Sequence, residues 1–435
     1  MCKKIKLLWI SAMLTAGAVK AQTENSPYSR YGLGDVLPSQ NIMSRGIGGV
    51  SAAYADVISV NFQNPASYAK LKRSTFDFGL EVDSRTLRVF DPPRKFSSTS
   101  PIISYIQLGV PLSQKRNWGM NFGLRPVTRI NYKIQTTGPN ELTEYPKDTI
   151  STIFEGNGGT YEVYTGTGFS LGNLSLGVNV GYLFGSKDYS TKRFVIADSL
   201  FLYPSLHENN TNFGGLFANA GFQYTIKVNK EDMLRLGGFG SLKGSYRANR
   251  EQVVRTFEQN ATTGQVDSID VISRVKTTGK VVYPSTYGAG IMFYKGSKWL
   301  VGADFTQTQW TDYRFFDETD AVQNSWNLHV GGQILPNASP VAGKSYWNRV
   351  TYRAGFNYGQ NYVYVNQKDQ PMWGVSIGFG LPMRPPAYTN QYSIINTSFE
   401  FGKRGNTSNE ISENFFKIGI GLTLSDIWFL KKKYE

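Results

Sequence analysis

Few residues of this sequence carry the side chains that catalysis commonly uses, and their arrangement does not favour it. The segment Gly168-Phe169-Ser170-Leu171-Gly172 matches the G-x-S-x-G pattern of a nucleophilic serine. That pattern requires a sharp turn from a strand into a helix, whereas here it ends a strand-like segment at a hairpin. A serine nucleophile also needs a histidine, and the 435-residue chain has only His207 and His329. We therefore expect no enzymatic activity.

The sequence also has few residues that could bind a metal. Two His and one Cys are too few for a typical zinc or haem site, and a single thiol excludes a disulfide framework. Asp317, Glu318 and Asp320 could hold a cation, but a solvated acidic loop explains them better. Lys and Arg outnumber Asp and Glu by 46 to 32 without forming a basic stripe, which argues against nucleic acid as a partner. We expect no metal and no other cofactor.

Three cations share one parity of the stretch 117–136, namely Arg125, Arg129 and Lys133. Arginine offers a fork of N–H donors that matches a carboxylate, so these side chains could bind the carboxylate of a ligand. They could instead pair with acids of the barrel interior proposed below, such as Asp77, Glu81 and Asp304. The residue types favour this second interpretation without deciding between the two.

Pro126 interrupts the same stretch. Apolar residues keep one parity on both sides of it: Trp118, Met120, Phe122, Leu124, Ile130, Tyr132 and Ile134. Proline has no N–H for a sheet ladder and is avoided in central strands. We expect either a bulge or turn that splits two short strands, or a kink that opens the wall of the structure sideways.

The first residues predict an export signal. Three lysines in the first six residues precede a mainly apolar run from Leu7 to Val19, and small residues stand at positions −3 and −1 of a cleavage site after Ala21. Cys2 lies before the apolar run, so it cannot be the lipid-modified cysteine that follows a lipoprotein signal. An N-terminal core helix is the alternative. We expect residues 1–21 to be a cleaved signal peptide.

The rest of the chain alternates with period two, which is typical of β-strands. Leu174, Leu176, Val178 and Val180, for example, alternate with Ser, Gly and Asn. Fourteen such segments follow one another: 74–83, 102–112, 117–136, 158–171, 174–185, 213–227, 233–247, 285–294, 299–312, 325–335, 348–359, 373–382, 391–403 and 414–424. One face is apolar and the other polar, as in a membrane barrel with a wet lumen. A soluble β-sandwich protein is the alternative.

Residues 22–73 do not fit this pattern. They are rich in Gly and Ala, and Asn64-Pro65 predicts a helix N-cap followed by proline at the first helical position, opening a short helix to about Leu71. We expect an all-β fold with a small N-terminal plug, or hatch, over 22–73 and a 14-stranded antiparallel transmembrane β-barrel over 74–435. A periplasmic extension is the alternative for 22–73.

Several motifs resemble those of the FadL-like outer-membrane transporters of long-chain fatty acids, toluene and other hydrophobic compounds. Ala55-Asp56 through Phe62-Gln63-Asn64-Pro65-Ala66 resembles the plug signature of that family, and Pro284 through Trp310-Thr311-Asp312-Tyr313 resembles its mid-barrel hairpin. Tyr352–Gly355 and Gly378–Pro382 look like its later strands. Ser67 departs from the usual glycine of the family. The ending Glu413–Phe416 to Trp428-Phe429 is similar to the branch that includes the shuttle barrel of the type IX secretion system.

The resemblance implies a protein of the Gram-negative outer membrane that transports hydrophobic, fatty-acid-like small molecules past a plugged lumen. It implies Asn64, Pro65 and Ala66 as the plug motif and Pro126 as a lateral opening, because the family kinks its third strand. Arg125, Arg129 and Lys133 are the candidates for a ligand carboxylate. The alternative is a non-transporting barrel that binds partner proteins of a type IX-like secretion or surface-assembly system. The expected partners are outer-membrane lipid, the small molecule and, in the alternative, secretion-system proteins.

Overall fold

The computed structural model describes residues 26–90, 92–139, 149–196, 202–259, 266–337, 345–383 and 391–428. Their strands form one antiparallel sheet that closes into a barrel where the last strand pairs with the first. The strands are β1 Ser74–Phe90, β2 Pro93–Ser113, β3 Trp118–Pro139, β4 Thr149–Leu171, β5 Leu174–Ile196, β6 Ser205–Lys227, β7 Asp232–Ser241 with Gly244–Gln259, β8 Val266–Tyr283 with Thr286–Lys295, β9 Trp299–Thr308, β10 Ser325–Ile334, β11 Thr351–Gln360, β12 Pro371–Pro382, β13 Tyr392–Arg404 and β14 Ile411–Asp426. The predicted 14-stranded barrel is confirmed.

The remaining elements are short. They are the two-residue strands Asp35–Val36 and Arg314–Phe315, the helix α1 Ile42–Gly46, and the 3-10 helices Pro27–Arg30, Pro65–Lys70, Trp310–Asp312 and Tyr346–Arg349. Within the described ranges, no helix combines the length and the apolar character that crossing a membrane requires.

The alternation along each strand produces an inverted distribution of polarity. On β1, the outward Phe76, Leu80 and Val82 are at least 40% exposed. The acids between them are almost fully buried inside the barrel: Asp77, Glu81 and Asp83. Apolar side chains outside and polar ones inside are the pattern of a barrel surrounded by lipid, where closure leaves no unpaired sheet edge in the hydrocarbon. This distribution excludes the soluble sandwich.

The barrel wall is much taller on one side than on the other. Strands β4 to β6 have 23 residues each, whereas β9 to β11 have 10 each. A tilted strand crosses the hydrocarbon in about 9–11 residues. Strands of 23 residues therefore continue beyond the membrane at one end of the barrel. The end where β1 begins and β14 ends is called proximal here, and the opposite end is called distal. The part of β3 to β8 that continues beyond the membrane at the distal end is called the distal extension.

Residues 26–73 pack inside the barrel. Ser26 lies at the distal end, where its hydroxyl donates to Glu413 of β14. The chain then descends through α1 to the 3-10 helix Pro65–Lys70 at the proximal end, where Asn64 caps that helix by accepting from the N–H of Ala66 at 3.1 Å. The predicted cap and short helix are confirmed, although the helix is 3-10 rather than α.

Candidate functional site

The barrel wall is incomplete between β2 and β3. These strands pair from Ser113–Trp118 as far as Ile106–Leu124, and no further pairing joins them among the described residues. Beyond that point β2 continues against β1 alone, and β3 continues against β4. The resulting gap between residues 93–105 and 125–139 is called the seam, and Pro126 lies at its proximal end.

A bulge accompanies the seam. The register of β3 against β4 passes from Pro126–Tyr161 to Thr128–Thr160, so Val127 is an extra residue. A bulge of this kind reverses the side-chain alternation of its strand. The predicted bulge at Pro126 is therefore observed, at the place where the wall also separates.

The bulge corrects one expectation about β3. Before it, the apolar Leu124 faces outward and is 41% exposed, whereas after it Ile130 is 1% exposed and packs beside Gly34 of the plug. Arg125 therefore faces the lumen, but Arg129 and Lys133 lie on the outward side. The prediction that the three cations share one face is wrong, because the sequence pattern does not show the extra residue.

A segment of the plug fills part of the seam. Asp35 and Val36 pair with Arg129 and Thr128, and the N–H of Leu37 donates to the carbonyl oxygen of Val127 at 2.9 Å. Three plug residues thus occupy, on β3, the ladder positions that β2 leaves empty. The plug segment 35–37 is called the seam strand.

Buried ion pairs hold the seam strand in place. The two carboxylate oxygens of Asp35 bind Arg404 of β13 and Arg85 of β1, each at 2.7 Å. Burial raises the pKa of Asp35, but the charges of Arg404 and Arg85 outweigh burial and bring that pKa below its ordinary value. Arg404 and Arg85 also pair with Glu413. Removing one member of such a buried group leaves the other charges uncompensated.

A second buried group anchors α1. Arg45 pairs with Glu81 of β1 and, at 3.0 Å, with Glu400 of β13. Burial lowers the pKa of Arg45, but the charges of Glu81 and Glu400 outweigh it, and the pKa lies above its ordinary value. The plug is therefore fixed to the same side of the barrel, β13 to β1, at two heights.

A lumenal cavity of about 290 Å³ adjoins the seam strand. Its wall near the seam includes apolar side chains, among them Val36, Leu37, Val127 and Phe62, and its remaining wall is mixed in polarity. At the distal end, the stacked rings of Trp310 and Tyr362, 4.3 Å apart, cover the plug. The cavity thus has an apolar side directly behind the gap in the wall.

The three predicted carboxylate-binding cations occupy different places. Arg125 lines the cavity, pairs with Glu162 at 2.8 Å and lies 5.2 Å from the ring centre of Phe62. Lys133 pairs with Glu155 at 3.1 Å on the outer face. Arg129 stands beside the seam strand, and its buried Nη1 has no hydrogen-bond partner among the residues that the structure describes.

The acids considered as alternative partners bind other groups. Asp304 accepts from the N–H groups of Ser51 and Ala52, at 2.5 and 2.6 Å. Glu81 pairs with Arg45, and Asp77 accepts from Thr423. The interior acids therefore hold the plug or the wall, and Arg125 and Lys133 find their partners on β4.

The motif Asn64-Pro65-Ala66 lies at a junction between plug and wall. The Asn64 amide donates to three carbonyl oxygens: those of Ala52 at 2.6 Å, Phe222 at 3.1 Å and Gly238 at 3.2 Å. The first belongs to the plug, and the others belong to β6 and β7. Asn64 therefore ties two parts of the plug to the barrel and caps the helix at the same time.

The residues considered for catalysis are far from one another. Ser170 shares a hydrogen bond with Ser175 at 2.7 Å, and Nδ1 of His329 lies 2.7 Å from the carbonyl oxygen of Gly48 in the plug. His207 stands in the distal extension. Asp320, from the acidic loop, accepts from the N–H of Gly32 at 2.8 Å. In the part of the chain covered by the structure, no three His, Cys, Asp or Glu side chains are grouped to hold a metal.

Sequence reasoning missed the residues that hold the seam strand: Asp35, Arg85, Arg404 and Glu413. They come from the plug, β1, β13 and β14, and no local motif joins them. The sequence does place charged residues on the inward face of β1, β13 and β14. Since an unpaired charge there would be costly, ion pairs inside the barrel could have been predicted.

Comparisons with known proteins agree with this architecture. No curated protein matches the chain in sequence. Among solved structures, a Pseudomonas aeruginosa FadL homologue has a TM-score of 0.59 at 13% identity, covering 91% of this chain and 100% of its own. The P. putida toluene transporter TodX has a TM-score of 0.57 at 14% identity with coverage of 91% and 100%. The CymD monoaromatic hydrocarbon channel has 0.52 at 15% identity with 91% and 99%.

At these identities the structural likeness shows a shared fold, as the plug and barrel motifs had implied. The sequence match is more specific, because the model of one protein family, BamG, aligns with residues 1–435. The chain belongs to the BamG family.

Proposed function

We propose that this protein is an outer-membrane barrel that passes small hydrophobic molecules, such as fatty acids, from its lumen into the membrane through the seam. The observation that carries the proposal is the seam strand, in which three plug residues stand in for a missing stretch of β2–β3 pairing. Because this segment belongs to the plug, its release would open the wall without breaking the pairing of the barrel strands.

The route avoids water. Each CH₂ group exposed to water costs about 0.8 kcal/mol. The free-energy barrier for a hydrophobic compound is therefore lower if it passes from an apolar surface directly into lipid. Val36, Leu37 and Val127 provide such a surface at the cavity side of the seam. Release of the seam strand would connect that surface with the lipid at the distal rim of the apolar belt, because Pro126 is opposite Tyr161 there.

Arg125 is the candidate residue for binding the acidic head group of a ligand. It borders the cavity and, within the described part of the chain, has one carboxylate partner, Glu162, so a ligand carboxylate could share its fork of N–H donors. Phe62 beside it offers apolar contact to the first carbons of a chain. Arg129 adds a second cation next to the seam strand.

A reversible cross-link tests the seam directly. Val36 and Thr128 are opposite one another on the seam strand and β3, so Val36→Cys with Thr128→Cys can form a disulfide. The only native cysteine is Cys2, inside the expected signal peptide. The cross-link should abolish uptake of a labelled long-chain fatty acid into cells, and a reductant should restore it.

The matched control joins two wall strands below the seam. Val110→Cys with Met120→Cys bridges opposite residues of β2 and β3 where the wall is already paired. This cross-link should leave uptake unchanged. Equal uptake by the oxidised and reduced Val36–Thr128 variant would refute passage through the seam.

A second candidate function is binding of partner proteins of a type IX-like secretion or surface-assembly system. The observation that favours it is the tall distal extension, because strands of 23 residues reach far beyond the membrane. Purification in mild detergent followed by mass spectrometry separates the candidates. A stoichiometric hydrophobic small molecule supports transport, and a stoichiometric protein without one supports partner binding.

A further inference from the structure

A polar groove lies on the outer face of the distal extension and begins at Asn131 and Lys133, on the distal side of the seam strand. Its volume is about 430 Å³, and neighbouring parts of β3, β4, β5 and β6 form it. None of its residues belongs to the ion pairs that hold the plug. The groove is on the outer face of the wall, whereas the passage proposed above starts from the lumenal cavity.

The side chains of the groove point outward. On β5, the neighbouring Lys187 donates to the carbonyl oxygen of Gly32 at 3.0 Å, and the Tyr189 hydroxyl donates to that of Arg30, so both face the plug. Successive side chains of a strand point to opposite faces. Asp188 and the residues opposite it on β3, β4 and β6 consequently face the surroundings of the barrel.

Two rows of polar residues cross the four strands side by side. The first row consists of directly opposite residues, Asn131, Asn157, Asp188 and Asn210. The second row, two residues further along, is Lys133, Glu155, Ser190 and Glu208. All eight line the groove. Together they offer amide donors, amide and carboxylate acceptors, and hydroxyl groups.

Two of the three carboxylates of the groove are in ion pairs, and the third, Asp188, accepts from the Ser186 hydroxyl at 2.9 Å. Glu155 binds Lys133 at 3.1 Å and Lys192 at 2.7 Å, and Glu208 binds Arg255 at 3.0 Å. A phosphate or nucleic-acid site needs an excess of positive charge, and a protein interface usually centres on large aromatic or Arg anchors in a desolvated pocket. The outward side chains of this groove provide neither. An uncharged ligand with many hydroxyl groups fits its donors and acceptors best.

The position of the groove agrees with such a ligand. The outward aromatic rings of Tyr161 and Phe184 stack at 5.8 Å and mark the distal rim of the apolar belt, as aromatic girdles do. Asn157 lies four residues beyond Tyr161 on β4, which is about 13 Å at 3.3 Å per residue. The polar head-group layer accounts for roughly 5–7 Å on each side of a bilayer. The groove therefore stands above that layer.

We propose that this groove binds a saccharide, supplied either by a lipid-linked glycan of the surrounding leaflet or by a free glycan. The amides of the first row bind pairs of adjacent hydroxyl groups, and the ion-paired second row contributes acceptors without attracting a charged ligand. The bound sugar would orient the distal extension relative to the membrane surface.

The test uses the full-length barrel in detergent, with two probes prepared from the host: intact lipopolysaccharide and the oligosaccharide released from it by mild acid. Affinity is measured by calorimetry, and contact is measured by saturation-transfer NMR. Asn157→Ala with Asn210→Ala should weaken binding of the released oligosaccharide about tenfold, the value expected for the loss of one or two hydrogen bonds.

The matched control is Asn249→Ala with Thr278→Ala, two opposite residues on β7 and β8 that lie outside the groove. Both double variants must migrate as folded barrels on unheated gels. Tighter binding of the intact form that is also lost in the groove variant identifies the lipid-linked source, and equal binding of the two forms identifies a free glycan. The proposal is overturned if the released oligosaccharide does not bind, or if groove and control variants lose affinity equally.

Discussion

The N–H of Leu37 donates to the carbonyl oxygen of Val127 at 2.9 Å, so a plug residue takes the place of a wall strand beside the bulge of β3. The contact joins two parts of the chain that have different roles. Val127 is an extra residue because the register shifts there, and Leu37 lies two residues after Asp35, the acid that the wall arginines hold. The closure of the wall and the anchoring of the plug are therefore one structural arrangement.

Pro126→Val should reduce uptake without impairing assembly. Valine restores an N–H to β3 at the proximal end of the seam, which favours continued pairing with β2 over the gap. We expect uptake of a labelled fatty acid to fall severalfold while the amount of folded barrel stays the same. Pro371→Val on β12 is the control, because that strand is paired on both sides. Unchanged uptake in the Pro126 variant would contradict the role of the seam.

Asp35→Asn should destabilise the plug. The substitution leaves Arg85 and Arg404 with less compensation in a buried site, which costs on the order of 3 kcal/mol. Urea unfolding followed by gel mobility would measure the loss, and proteolysis would show whether the plug opens first. Lys243→Gln removes an exposed ion pair with Asp312 and should cost at most about 1 kcal/mol. Equal stability of the Asp35 variant and the wild type would show that the ion pairs do not hold the plug.

The contribution of Asp35 should disappear in acid. Burial raises its pKa, but the charges of Arg404 and Arg85 bring it below the ordinary value, so the folded state favours the ionised carboxylate. That stability is present above the ordinary pKa of about 4 and is lost as the pH falls through the lower folded value. The stability difference between wild type and Asp35→Asn should be constant from about pH 8 to 5 and should shrink below about pH 4. A difference that stays constant or grows as the pH falls below about 4 would contradict this sign.

Gly177→Ala should unseat the proximal end of the plug. A Cβ at this position of β5 would clash with the carbonyl group of Pro65, a backbone group that cannot turn away. Overpacking of this kind costs about 1–3 kcal/mol and should make the segment 64–71 accessible to protease. Gly138→Ala is the matched control, because no atom of the described ranges lies within 4 Å of its added Cβ. Equal protease resistance in both variants would show that Gly177 does not position the helix.

Much of the fold was accessible from the sequence because lipid imposes a strict alternation. Each of the fourteen predicted segments overlaps a strand. Within the membrane, an outward polar residue or an inward apolar one is costly. The strand ends were less accurate, and β5 continues from the predicted end at 185 to Ile196. Beyond the membrane both faces are in contact with water or plug, so the alternation no longer signals where a strand stops.

The candidate site was only partly accessible. Pro126 marked the position of the bulge on β3, because its missing N–H is a local property of one residue. Arg125 lines the cavity, but the bulge at Val127 reverses the alternation, so Arg129 and Lys133 lie on the other face of β3. Register depends on which residues two strands pair, and a single sequence does not show the pairing of an irregular strand.

The sequence by itself determined the barrel, the number of its strands and the capped helix of the plug. Those features follow from short-range rules: period-two alternation, the length that crosses a bilayer, and the preferences of Asn and Pro at a helix start. Only the tertiary structure decided that Asp35 meets Arg85 and Arg404 and that Leu37 completes the wall. Those contacts join segments up to 369 positions apart, and they form only when closure of the barrel brings β13, β14 and β1 around the plug.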